Sequence, residues 1–190
     1  MRRNRILSFV GAGLLSLAAS HAPAEKAKPI ETFTAFGVSM MAGKTSTVTI
    51  TIERWSTDQE RQMLLDTLRD RGQEEMVAAL GKLPHVGFIR LANTRGYDLH
   101  YARETRNADG SRRVVVAADR VLQFHEVVGG TRSQNYDFGF AELHFPASGK
   151  GEGKLAPANL ISIDKVTNQI EIENYGAQPI RLMSVTSKTP

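Results

Sequence analysis

The sequence predicts a mainly β (α+β) domain, an antiparallel β-sandwich or an open barrel, with an inserted helical hairpin at about residues 57–82. Apolar and polar residues alternate at 45–54, which is typical of a strand with one buried face. About eight to ten segments of strand character recur along the chain and are separated by turn residues. The interruption at 57–82 has helical periodicity instead, so we expect helices packed on a sheet.

Residues 1–24 are predicted to be a cleaved signal peptide. Three arginines precede the apolar run Ile6–Ala19, which contains no charge and is too short to span a membrane as a helix. Ala22-Pro23-Ala24 then has the small-x-small pattern that signal peptidase recognises. We therefore expect an exported protein, periplasmic or extracellular. The predicted organisation continues with a linker at 25–31, a single β-rich domain at 32–186 and a tail at 187–190.

The charge and the composition of the predicted mature chain exclude several classes of function. The whole chain has 24 Lys and Arg against 20 Asp and Glu; three of the arginines and none of the acids lie in residues 1–24, which leaves 21 against 20. A nucleic-acid-binding domain needs a basic stripe, so no nucleic-acid partner is expected. The absence of cysteine excludes disulfides and thiolate metal sites. We also expect no transmembrane segment after residue 24.

The helical insertion has clear start and stop signals. Either Ser56 with Gln59 or Thr57 with Glu60 forms a capping box, in which side chains satisfy the free amides of the first turn. Gly72 ends the first helix, and a second helix follows it directly. We interpret the apolar stripe of this hairpin as core packing on a sheet, with a ligand groove as the alternative. The stripe consists of Leu64, Leu65, Leu68, Met76, Val77 and Leu80.

Tyr136–Phe145 is predicted to be the central strand of the fold. It contains four of the 12 Phe and Tyr residues of the chain. Its apolar side chains alternate to both faces, so both faces should be covered. Glu142 and His144, on the same face as Phe138, should lie where the strand emerges into solvent.

The C-terminal region is predicted to contain a hairpin and a flexible segment. Leu160–Asp164 and Gln169–Glu173 should pair as strands across the turn between them. Gly149–Lys154 has three glycines in six residues and is predicted to be the most flexible stretch of the domain.

Three motifs of catalytic or nucleotide-binding proteins begin in the sequence, but none is complete. Gly43-Lys44-Thr45 matches the end of a phosphate-binding loop, yet Val38 stands where its first glycine belongs, and a strand pattern follows instead of a helix. His125-Glu126 lacks the second histidine of a zinc protease, since residue 129 is glycine. Gly37-Val38-Ser39 lacks the second glycine of a nucleophile elbow.

One set of residues has metal-binding chemistry. Asp98 and His100, and likewise Glu142 and His144, lie two residues apart, so each pair shares one face of a strand. If the two strands are neighbours, the four side chains could bind a divalent cation or relay a proton. The alternative is an ordinary solvated strand face.

Four arginines cluster around a predicted hairpin turn at Asn107–Gly110. They could form a surface contact for an acidic partner. The alternative, which we favour, is cross-strand pairing of arginines with nearby acids, which keeps an exposed hairpin soluble. The four residues are Arg103, Arg106, Arg112 and Arg113.

Three segments of the chain, at 98–103, 109–114 and 170–176, have a recognisable pattern. They read Asp-Leu-His-Tyr-Ala-Arg, Asp-Gly-Ser-Arg-Arg-Val and Ile-Glu-Ile-Glu-Asn-Tyr-Gly. In these segments the chain resembles a group of small exported bacterial proteins that have no assigned activity. The resemblance implies export and a single domain, and it implies no catalytic residue, cofactor or substrate.

These observations predict a non-enzymatic exported protein that binds a partner protein or a small apolar ligand, or that has a structural role in the cell envelope. No cofactor is expected. The alternative is a metal-dependent or acid–base enzyme that uses Asp98, His100, Glu142 and His144, with a divalent metal bound by these residues.

Overall fold

The computed structural model describes residues 28–39, 43–122, 138–148, 150–164, 169–175 and 178–190. The predicted signal peptide and residues 25–27 of the predicted linker lie outside the described residues. The strands are β1 (Glu31–Ser39), β2 (Lys44–Ile52), β3 (Gly87–Leu91), β4 (Tyr97–Leu99), β5 (Tyr101–Arg106), β6 (Arg112–Ala118), β7 (Phe138–Phe145), β8 (Gly151–Asp164), β9 (Gln169–Tyr175) and β10 (Ile180–Lys188), and the helices are α1 (Asp58–Arg71) and α2 (Gln73–Leu80).

The strands form a nearly closed antiparallel barrel. Their order is β4-β3-β2-β1-β10-β8-β7-β6-β5, and β9 pairs with β8 outside this path. The two helices are inserted after β2. The prediction of a mainly β, antiparallel domain with an inserted helical hairpin is therefore confirmed. Of the two architectures that the sequence left open, the barrel is the one that forms.

The two ends of the sheet meet at a strand that is interrupted at His100. On one side of His100, β4 pairs with β3, and on the other side β5 pairs with β6. The backbone N–H of His100 itself donates to the carbonyl oxygen of Ala117 at 3.0 Å, which continues the ladder across the interruption. A sequence pattern that reads as one strand thus supplies two strands, one at each end of the sheet.

Apolar side chains fill the inside of the barrel. The alternation at 45–54 predicts this arrangement: Val48, Ile50 and Ile52 are at most 1% exposed. Each pleated strand contributes every second side chain to the same interior. The inward-facing side chains form one contiguous core, and nearly every barrel strand contributes aliphatic groups to it. Its largest buried members outside β2 are Phe33, Ile89, Leu91, Leu99, Leu122, Leu143, Leu155 and Ile180.

The predicted central strand is confirmed for Phe138–Phe145, while Tyr136 lies outside the described residues. Ala141 and Leu143 point into the barrel and belong to its core. Phe138 and Phe140 belong to a second apolar cluster, under the helices. Both faces of β7 are therefore covered, as its sequence predicts.

The prediction that Gly149–Lys154 is flexible is wrong for Gly151–Lys154, which opens β8. Two glycines there permit close packing. A Cβ atom on Gly153 would lie 2.3 Å from the carbonyl oxygen of Glu142, and one on Gly151 would lie 2.7 Å from the Phe145 ring. These contacts require the absence of a side chain, so the glycines are a packing feature of the strand.

The rest of β8 forms the predicted C-terminal hairpin with β9. Ile161 pairs with Ile172 and Ile163 pairs with Ile170. This part of β8 extends beyond the pairing with β7 and reaches the second helix. The backbone N–H of Ile161 donates to Oε1 of Gln73, at the start of α2, at 2.6 Å.

A buried ion pair closes one end of the barrel. The Arg112 side chain is 14% exposed and the Glu31 side chain 7% exposed, and one guanidinium nitrogen of Arg112 donates to both carboxylate oxygens of Glu31 at 2.7 Å. The guanidinium group also lies 5.2 Å from the ring centroids of Phe33 and Phe145. A second carboxylate, that of Glu104, lies 2.8 Å from Nε of Arg112, but in an orientation that is not a hydrogen bond.

Candidate functional site

A groove lies on the outside of the barrel, between the helical hairpin and strands β5 to β8. We call it the outer groove. Its volume is about 550 Å³. Helical residues form one wall, and outward-facing strand residues form the other. It is lined by Arg61, Leu64, Leu65, Leu68, Met76, Leu80, Tyr101, Arg103, Thr105, Arg113, Val115, Ala117, Phe138, Phe140, Glu142 and Ile161.

The helical wall is held by the start of α1. Thr57 and Glu60 form the capping box that the sequence predicts, whereas the alternative pair Ser56 and Gln59 is not used. Arg54, just after β2, donates to both carboxylate oxygens of Glu60, at 3.0 and 2.9 Å. It also donates to the carbonyl oxygen of Pro84 at 3.0 Å. One arginine therefore ties the start of α1 to the segment that follows α2.

One end of the outer groove is apolar. Leu64 and Leu68 of α1 face Phe138 and Ala117 of the barrel wall, and all four are under 9% exposed. The rings of Phe138 and Phe140 stack with their centroids 5.9 Å apart. The hairpin stripe thus does pack on a sheet, as the sequence predicts. It also leaves a groove beside that packing.

The other end of the outer groove is polar and carries three guanidinium groups. Nη1 of Arg103 contacts Oδ1 of Asp58 at 2.6 Å, and Nε of Arg113 donates to Oε1 of Glu142. Arg61, on the first turn of α1, is exposed at the rim. The groove therefore changes from aliphatic and aromatic walls to a cationic rim along its length.

Tyr101 lies at the floor of the outer groove and is half-buried. Burial raises the pKa of its hydroxyl above the ordinary value of 10.0, and the opposing influence of Arg103 and Arg61 is weaker. The phenol is therefore neutral at physiological pH. It presents a polar but uncharged group next to the apolar end.

The four residues of the predicted metal site do not assemble into one. Glu142 and His144 are together, with Oε1 and Nε2 3.0 Å apart. Asp98 instead lies beside His85, 3.7 Å from its Nδ1. Among the residues that the structure describes, no three His, Asp or Glu side chains are grouped so that they could hold a metal ion.

His100 is held in a structural contact. Its Nδ1 lies 2.9 Å from the carbonyl oxygen of Leu83. Because a carbonyl oxygen can only accept, Nδ1 carries the proton and donates. This bond fixes the imidazole at the strand interruption, against the end of the helical hairpin, and away from Glu142 and His144 on β7.

Each of the four predicted surface arginines has a carboxylate partner. The pairs are Arg103 with Asp58, Arg106 with Glu104, Arg112 with Glu31 and Glu104, and Arg113 with Glu142. The partners of Arg103, Arg112 and Arg113 include acids from outside the predicted hairpin, namely Asp58 on α1, Glu31 on β1 and Glu142 on β7. Arg112 is largely buried and so cannot act as a surface contact.

A second cavity, of about 570 Å³, lies at the end of the barrel next to Arg112. Its lining includes exposed or partly exposed polar side chains, among them Arg113, His144 and Lys150. Strand β10 bulges there, and Ser184 adopts a left-handed backbone conformation with φ of 52°. This cavity lacks the continuous apolar wall of the outer groove, so we take the outer groove as the candidate site.

Sequence reasoning missed most of the barrel wall of the outer groove. Ala117, Val115 and Thr105 have no distinctive chemistry in the sequence. They become neighbours of the helices only through the pairing of β5, β6 and β7. The one available signal was Phe138 and Phe140, which predict an apolar outer face on β7.

Comparisons with protein-family models, with curated proteins and with solved structures found no match. In the part of the chain that the structure describes, none of the helices is long and apolar enough to cross a membrane.

Proposed function

We propose that this protein is a non-enzymatic, exported binding protein that holds a small apolar ligand in the outer groove. The observation that carries the proposal is the groove itself, an apolar-walled space of about 550 Å³. Small-molecule sites in proteins have volumes of about 300–1,000 Å³ and combine apolar walls with a few polar groups. The outer groove has both properties.

The energetics favour an apolar occupant. Leu65, Phe140 and Val115 line the groove and are only half-buried. Covering apolar surface contributes about 25 cal/mol per Å², so a ligand that covers these side chains binds favourably. In the described part of the chain, the barrel interior is instead filled by core side chains that pack against one another.

The uncharged fluorescent probe N-phenyl-1-naphthylamine tests the proposal directly. Its emission rises in an apolar environment, so titration with the protein gives a dissociation constant. We expect saturable binding with one site per chain. Val115 lies on the strand wall of the outer groove. The substitution Val115→Trp should weaken probe binding at least tenfold, because the indole ring fills the space.

Thr49→Trp is the matched control. Thr49 also lies mid-strand, faces outward and is half-buried, but on β2 and outside the groove. This variant should bind the probe like the wild-type protein. Circular dichroism would verify that both variants are folded. Absence of saturable probe binding to the folded wild-type protein, or equal binding by both variants, would contradict the proposal.

A further inference from the structure

The outer groove has a polarity gradient that the strand register sets. Facing residues on β5, β6 and β7 form rows across the barrel wall. In the first row, Tyr101 pairs with Ala117 and Ala117 with Phe140. This row is apolar apart from one phenol hydroxyl. It lies beneath the Leu and Met side chains of the helices.

The next row, two residues further along each strand, is charged. Arg103 pairs with Val115, and Val115 pairs with Glu142. Residues two apart on a strand are separated by about 6.8 Å. The wall of the groove thus changes from apolar to charged within the length of a small ligand. An occupant with one apolar end and one polar end fits this gradient.

The polar end of the outer groove has a net positive charge, because one of its three arginines, Arg61, has no carboxylate partner among the described residues. Arg103 is balanced by Asp58, and Arg113 by Glu142. Within the described part of the chain, Arg61 forms no ion pair and no side-chain hydrogen bond. Three guanidinium groups therefore face two carboxylates, which leaves one positive charge at the rim of the groove.

An arginine at the rim of an apolar groove discriminates between head groups. Its guanidinium group forms two parallel hydrogen bonds with a carboxylate, and an alcohol cannot reproduce this geometry. A cationic head group would be repelled. The preference should be stronger than at an open surface, because the adjoining apolar walls lower the local dielectric constant.

We infer that the ligand is a single-chain amphiphile with a carboxylate head group, and that Arg61 is the residue that selects this head group. The apolar chain lies over Phe140 and Ala117, and the carboxylate lies at Arg61. This inference rests on the proposed function, because it assigns the chemical class of the ligand that the outer groove holds.

Displacement of bound N-phenyl-1-naphthylamine by three ligands with the same ten-carbon chain tests the inference. The ligands are decanoate, decan-1-ol and decyltrimethylammonium. With the wild-type protein we expect decanoate to displace the probe at about one tenth of the concentration that decan-1-ol requires, which corresponds to about 1.4 kcal/mol. Decyltrimethylammonium should be the weakest competitor.

The variant Arg61→Gln should reduce the advantage of decanoate over decan-1-ol to less than about threefold, since glutamine keeps the polarity but removes the charge. The readout is the ratio of the two displacement concentrations, measured on the same variant. Arg71→Gln, at the other end of the same helix and outside the groove lining, is the matched control and should retain the wild-type preference.

Two results separate this inference from the proposed function. If the probe binds but decanoate has no advantage over decan-1-ol, or if Arg61→Gln keeps that advantage, the carboxylate assignment is overturned and the apolar groove stands. If the folded wild-type protein does not bind the probe, both the proposed function and this inference are overturned.

Discussion

The inside and the outside of the barrel wall use the same strands for different purposes. On β7, Leu143 faces inward and is completely buried, while Phe140 faces outward and is only half-buried. The interior core is contiguous and surrounded by the strands. The outer cluster is covered by two helices that leave a groove of about 550 Å³ beside it.

This difference shows how stability and binding are divided within one sheet. Close packing inside the barrel contributes most of the free energy of folding, because each buried side chain contacts others on every side. Incomplete coverage outside leaves apolar surface that a ligand can cover. Substitutions on the two faces should therefore have different consequences: interior changes should reduce stability, and groove changes should reduce binding.

The largest effect is expected at the buried ion pair inside the end of the barrel. Arg112→Met should lower the free energy of unfolding by about 4 kcal/mol, because it leaves the buried Glu31 carboxylate without its charged partner. Arg103→Gln, which breaks a pair on the outside, should cost less than about 1 kcal/mol, since Asp58 is 89% exposed. Urea unfolding of both variants measures the contrast.

A double variant provides the control for that prediction. Arg112→Met combined with Glu31→Leu removes both charges, and apolar side chains often replace a buried ion pair without loss of stability. The double variant should therefore recover most of the stability that the single variant loses. Equal losses for Arg112→Met and Arg103→Gln would show that the Arg112 pair is not more important than a surface pair.

The next largest effect is expected for leucine-to-alanine substitutions, one in the barrel interior and one in the wall of the outer groove. Leu155→Ala, in the barrel interior, should destabilise the protein by about 3 kcal/mol because it leaves a cavity in a packed core. Leu65→Ala, in the half-buried wall of the groove, should cost about 1 kcal/mol. For probe affinity the order should be reversed, with the larger loss for Leu65→Ala. If the same variant showed the larger loss of both stability and probe affinity, the interior face and the groove face would not be separated into a stabilising and a binding role.

The smallest effect concerns the pH dependence of the stability that the Arg54–Glu60 contact contributes at the start of α1. The hydrogen bonds that Arg54 donates hold the pKa of Glu60 below its ordinary value of 4.5. A carboxyl group whose pKa is lower in the folded state contributes stability at neutral pH, and this contribution is lost as the pH falls below 4.5 and through the folded-state pKa. Glu60→Gln should therefore be less stable than wild type at pH 7, and the gap should shrink at pH 3.

Urea unfolding at the two pH values measures this gap. Glu152→Gln, at an exposed position on β8, is the control and should remain close to wild type at both pH values. A gap for Glu60→Gln that stays constant with pH would contradict a role for the Arg54–Glu60 contact in holding α1.

The sequence predicts the local elements of this fold well because their causes are local. Alternation predicts the buried face of β2, and the capping signal at Thr57 and Glu60 predicts the start of α1. The closure of the barrel has a non-local cause. It depends on the interruption at His100, where adjacent segments pair with β3 and β6, and no short-range pattern specifies those partners.

The candidate site likewise depends on long-range contacts that short-range sequence patterns do not specify. The spacing of Asp98 with His100 and of Glu142 with His144 predicts two polar pairs, but only the second is a contact, because the first lies at the strand interruption. The outer groove combines α1 and α2 with strands β5 to β8, and its lining extends from Arg61 to Ile161 in the sequence. Its apolar helical stripe is visible in the sequence, whereas the unpaired charge of Arg61 is apparent only once the partners of its neighbours are known.

The most direct test of the division between the two faces is a titration of the methyl-labelled protein with decanoate, followed by NMR. Methyl groups of Leu64, Val115 and Ile161 in the outer groove should shift on binding. Those of Ile89, Leu143 and Leu155 in the barrel interior should not. Shifts centred on the interior methyl groups, or saturating binding that leaves the groove methyl groups unchanged, would contradict the outer groove as the ligand site.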